Sequence, residues 1–97
     1  MILNGCPVKC APMTVRPVND KFILSAAQHE FALTLNVTSY EIYKFLLNAT
    51  EEHVTNKMIV AFLAERFEIA EEGYDEVEKD VADTLDIFFK GKILVQI

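Results

Sequence analysis

Large apolar residues recur at every second position through Phe31-Ala32-Leu33-Thr34-Leu35, and beyond Thr38 the period lengthens to three or four residues. The first pattern places Phe31, Leu33 and Leu35 on one face of a strand. Two shorter apolar runs precede it. Val15 to Val18 contains Pro17, which confines that run to an edge or a strand end. Phe22-Ile23-Leu24 follows the turn signal Asn19-Asp20, and Ser25 to His29 reads as the next turn. Together these runs predict a small antiparallel meander.

Helical periodicity takes over at Thr38-Ser39-Tyr40-Glu41, which has the form of a capping box. The first helix then carries Ile42, Tyr43, Leu46 and Leu47 along one side and closes at Asn48-Ala49-Thr50. Thr55 is a good N-cap for a second helix, with Ile59, Phe62, Leu63 and Phe67 at helical spacing. A third helix is predicted over 75–90. Asp75, Glu76 and Glu78 suit the dipole of its first turn, Val77, Val81, Leu85 and Phe88 line its apolar face, and Gly91 is the expected terminator. Ile93 to Ile97 forms a short last strand or an extended tail. Gly5, Pro7 and Pro12 interrupt residues 1–13, which read as a flexible tail before a single domain over 14–97. The fold class expected is α+β and winged-helix-like, a small three-stranded antiparallel sheet followed by three helices.

Composition narrows the function. Ninety-seven residues suffice for one domain, and 52% hydrophobic residues against 25% charged exclude a disordered chain. The net charge of −6 is uneven: residues 1–50 hold four basic and three acidic side chains, residues 51–97 five basic and twelve acidic. Nucleic acids draw on Lys and Arg for affinity. The third helix as a DNA reader would have eight acids and one base between Glu71 and Asp86, so no nucleic-acid partner is expected. No run approaches the length of a membrane span. Leu3-Asn4-Gly5-Cys6 resembles a lipoprotein cleavage box but lacks the apolar stretch before it. The expectation is a cytoplasmic protein.

Candidate chemistry is sparse. Cys6 and Cys10 are the only cysteines, too few for a zinc site without histidines nearby, and His29 and His53 lie far from them in sequence. Incidental thiols, a disulfide, a shared metal site and a redox pair all fit that spacing. Neither histidine neighbours a nucleophile in sequence, and no phosphate loop is present. The expectation is a protein that is not an enzyme and takes no cofactor.

Three segments resemble the PqqD-like family. Leu35-Asn36-Val37-Thr38-Ser39-Tyr40-Glu41-Ile42-Tyr43 is similar to the family's junction of last strand and first helix. Val54 to Val60, with Leu63 and Phe67, resembles its second helix. Asp80-Val81, Leu85, Phe88-Phe89 and Ile93-Leu94 resemble its third helix and C-terminal end. Thr84 departs from the pattern, standing where a large apolar residue is usual. The resemblance implies a peptide chaperone that captures the leader of a ribosomally made precursor peptide as an added strand. It presents that leader to a modifying enzyme, typically a radical SAM protein. The implied contact residues are Phe31, Ala32, Leu33, Thr34 and Leu35 on the strand, and Val77, Asp80, Val81, Thr84, Leu85 and Phe88 on the third helix.

The residues accommodate that role. The run Phe31 to Leu35 has no proline and no charge, so it lacks the usual devices that block an edge, and strand addition is a general mode of peptide recognition. The same run also fits an internal strand whose apolar side fills the core. The acids of the third helix are either a solvated face or a contact surface for basic residues of a partner. A homodimer through an open strand is the alternative from a different class.

Overall fold

The computed structural model describes residues 3–26, 32–49 and 53–96. It is α+β, with three helices and small antiparallel sheets. The expected meander is present as β2 (Thr14–Val18), β3 (Lys21–Ser25) and β4 (Leu33–Leu35), in that spatial order. Asn19 takes a positive φ of 57° in the β2–β3 turn, a conformation asparagine tolerates well. Val15, Phe22, Leu24, Leu33 and Leu35 pack on or within the core, so one face of the meander is apolar, as the alternation requires. Phe31 and His29 lie outside the described residues.

The flexible tail expected over residues 1–13 is largely a paired strand. Residues Asn4–Cys10 form β1, the central strand of a second sheet between β5 (His53–Thr55) and β6 (Leu94–Gln96). Leu3, Val8 and Cys10 are buried, and the Leu3 N–H donates to Asn56 Oδ1 at 2.7 Å. The breakers are absorbed by an irregularity. Pairing with β5 shifts register between Asn4 and Pro7, and Gly5 supplies a φ of 79° there. Bulges are where a sheet accepts glycine with positive φ and proline. The pairing with β6, by contrast, is regular from Val8 to Cys10. His53 sits exposed at the start of β5.

Helix boundaries shift for local reasons. Helix α1 runs Val37–Asn48, and its cap is Asn36, whose side chain accepts the Ser39 N–H at 2.8 Å. Thr38 is thus inside the helix, and Glu41 does not complete a capping box. Glu41 is buried instead, paired with Lys44 Nζ at 2.9 Å and Arg66 Nε at 3.6 Å. Helix α2 (Asn56–Arg66) starts on Thr55 as expected, with Thr55 Oγ1 accepting the Met58 N–H. Helix α3 runs Tyr74–Lys90. Gly91 keeps a right-handed backbone, and the left-handed position falls on Lys92 at φ 58°. The Lys92 and Ile93 N–H groups close back on Phe89 and Phe88, which is the Schellman arrangement. The helices share one core with both sheets, centred on Ile42, Tyr43, Leu63, Val81, Leu85 and Phe88. No helix of the described residues is long and apolar enough to cross a membrane.

Candidate peptide-binding site

Which groups face outward on β4 follows from Pro17. Proline has no N–H, so within the β2–β3 ladder its nitrogen sits where it points away from β3. Alternation along an antiparallel pair then fixes every other position. Arg16 and Val18 direct their backbone groups to β3, opposite Ile23 and Lys21. Phe22 and Leu24 turn theirs toward β4, where they face Leu35 and Leu33. Thr34 consequently presents its N–H and C=O, and Ala32 its C=O, at the outer edge of the meander. That edge has no strand partner among the described residues. The opposite edge, β2, is blunted by Pro17 and carries Arg16.

The β4 edge leads directly into the helices. Leu35 is buried, Asn36 caps α1, and Ser39 in the first turn of α1 lies 3.3 Å from Thr84 of α3, hydroxyl to hydroxyl. Thr84 is only 6% exposed, and this contact satisfies its hydroxyl. So β4 and α3 converge on the first turn of α1. Tyr40, one residue further, stacks on Phe22 with ring centroids 3.9 Å apart and clamps α1 onto the meander face. Tyr43 continues inward, edge-on to Phe88 at 6.3 Å. The Tyr43 hydroxyl accepts the Met13 N–H at 2.9 Å and donates to Ala11 C=O at 3.2 Å, fixing the link between β1 and β2. Burial raises the Tyr43 phenol above its ordinary pKa, partly opposed by the bond from Met13.

The sequence-expected contact residues divide into three groups. Ala32 and Thr34 are exposed on the open edge, while Leu33 and Leu35 turn inward on the same strand. Val81, Leu85 and Phe88 are 0% exposed and Val77 is nearly so; their side chains fill the core. A large apolar face on an amphipathic helix is first claimed by the protein's own interior. What α3 offers beside the α1 turn is the stripe Asp80, Asp83, Thr84 and Ile87, at spacings of three and four residues. Asp83 is one of the third-helix acids expected as a solvated face or a contact surface for basic residues; Ile87 and Ser39 are not among the expected contacts, although helical spacing from Asp80 leads to Ile87.

Other features stand apart from this place. A groove of about 640 Å³ lies between the start of α2 and a different stripe of α3, with Leu3, Thr55, Lys57, Asp75 and Lys79 among its walls. Cys6 and Cys10 are both in β1, so their Cα atoms are on the order of 13 Å apart at strand rise, too far for a disulfide between them. Burial pushes the Cys10 thiol up to about 12. Among the described residues no group of three or more His, Cys, Asp or Glu is placed to hold a metal ion. Comparison with known proteins finds no matching family model, no matching curated protein and no matching solved structure.

Proposed function

We propose that the chain is a cytoplasmic, non-catalytic peptide-binding module that takes up an extended segment as a fourth strand on β4. In the fuller form suggested by the PqqD-like resemblance, that segment is the leader of a precursor peptide, and the module presents it to a modifying enzyme of the radical SAM type. The observation that carries the proposal is the β4 edge, which has no strand partner among the described residues. It has outward backbone groups at Ala32 and Thr34, no charge and no proline, and α3 stands beside its end through the Ser39–Thr84 contact.

The magnitudes are adequate. Three outward backbone groups allow about three hydrogen bonds, together about 1.5–4.5 kcal/mol net. Two or three apolar anchors add about 3–9 kcal/mol. Ordering the peptide opposes this by several kcal/mol, and micromolar affinity needs about 8 kcal/mol. Strand β6 also ends a sheet without charge, but β4 alone runs into the α1 turn that holds α3.

The test is an NMR titration with the leader of a short precursor encoded nearby. Shifts should centre on the amides of Ala32 and Thr34 and on Asp80 to Ile87. Shifts confined to β6, or no binding below about millimolar, would sink the proposal. Dimerisation through β4 is the second reading, since the same open edge can pair with its own copy.

A further inference from the structure

The chemistry of the segment taken up at β4 can be read from what borders it, and this inference rests on the strand-addition proposal. The stripe of α3 that reaches the α1 turn holds two exposed carboxylates, Asp80 and Asp83, and Ile87, which is 47% exposed. No Lys or Arg forms a salt bridge with either aspartate among the described residues. The β4 edge has no charge of its own, and Lys79 and Lys90, which flank Asp83 and Ile87 along α3, form no salt bridge among the described residues. The site is therefore an uncharged edge beside a wall whose centre holds two unpaired carboxylates, with a lysine toward each end.

Spacing adds a second constraint. Residues three apart on a helix have Cβ atoms about 5–6 Å apart. Alternate residues of an extended strand share a face at about 6.8 Å. Two side chains at positions i and i+2 of an added strand therefore match the separation of Asp80 and Asp83. We propose that the preferred segment carries two basic residues at alternate positions, which meet Asp80 and Asp83 while its backbone pairs with Ala32 and Thr34, and that Ile87 covers an apolar neighbour. A second copy of this chain fits less well. Twofold pairing through β4 would bring two acidic walls toward each other in a protein of net charge −6.

The experiment uses two short synthetic peptides of threonine and valine, identical except for Lys-x-Lys or Glu-x-Glu at the centre. Each is titrated into the ¹⁵N-labelled full chain and into the D80N/D83N variant, whose changes lie on exposed positions. The lysine peptide should shift Ala32 and Thr34 and bind at least roughly fivefold more tightly than the glutamate peptide. That ratio should collapse toward one in D80N/D83N and in high salt. Equal binding of both peptides at Ala32 and Thr34 overturns the basic preference and leaves strand addition standing. Failure of both to perturb Ala32 and Thr34 overturns both ideas. Concentration-dependent self-pairing at those amides, competing with the peptides, assigns the edge to a second copy and overturns the inference.

Discussion

Proline scanning of β4 separates its two edges. At Thr34 the backbone N–H points outward, so Thr34→Pro removes no ladder bond to β3 and puts the ring on the docking edge. Folding stability should change by less than about 1 kcal/mol, because the residue before it, Leu33, already has the extended backbone that proline favours. Peptide binding loses one hydrogen bond, about 0.5–1.5 kcal/mol, and meets the ring sterically, for a loss of at least about tenfold. At Leu33 the N–H points to Leu24 of β3. Leu33→Pro leaves the Leu24 carbonyl unpaired, about 1–3 kcal/mol, and removes a side chain packed on the core, so about 3 kcal/mol is expected in total. Urea unfolding followed by circular dichroism reads stability, and peptide titration reads binding. Equal destabilisation by both variants would refute the edge assignment derived from Pro17. A folded Thr34→Pro variant that still binds at wild-type strength would refute strand addition.

Three further outcomes test the frame around the site. Ser39→Ala should cost about 1–2 kcal/mol, because it strands the buried Thr84 hydroxyl, and adding Thr84→Val should recover most of that loss in urea melts. Tyr43→Phe removes the acceptor for the Met13 N–H and the donor to Ala11. A loss of about 1–3 kcal/mol is expected, with faster hydrogen exchange at Met13 as its local signature. Cys10 should resist alkylation in the native state at mildly alkaline pH and react on unfolding. Its folded pKa of about 12 lies above the unfolded 9.0, so the native state retains the proton that the unfolded chain releases. Its contribution is therefore complete below pH 9 and lost as pH rises toward 12, by at most about 1.4 kcal/mol per pH unit. Unfolding free energies on either side of pH 9 should show that slope, and Cys10→Ala should flatten it.

Elements whose side chains repeat with one period were legible in the sequence. The alternation in Leu33-Thr34-Leu35 and the apolar stripe through Val77, Val81, Leu85 and Phe88 each name a burial face directly, and both are present. Strand β1 was not legible, because Gly5 and Pro7 are breakers by local propensity and become acceptable only at a bulge between two short partners contributed by distant parts of the chain. The α1 cap was displaced because Asn36 offers a cap as good as Thr38 and lies directly after β4. The candidate site was legible on its strand side. On its helix side the apolar residues that match the family pattern are spent on the core, and what remains exposed is Asp80 of that pattern with its neighbours Asp83 and Ile87. Thr84, the departure from that pattern, is the residue that joins α3 to α1.

A peptide strand paired with the outer edge of β4 would cover the Thr34 amide, so hydrogen exchange at Thr34 reads that pairing. In the free protein the Thr34 N–H should exchange rapidly while those of Leu33 and Leu35 are protected by β3. Saturation with the lysine peptide should slow Thr34 by at least about tenfold and leave Val15, on the opposite edge of the meander, unchanged. An unchanged Thr34 rate at saturation, or slowing at Val15 instead, would rule out strand addition at β4.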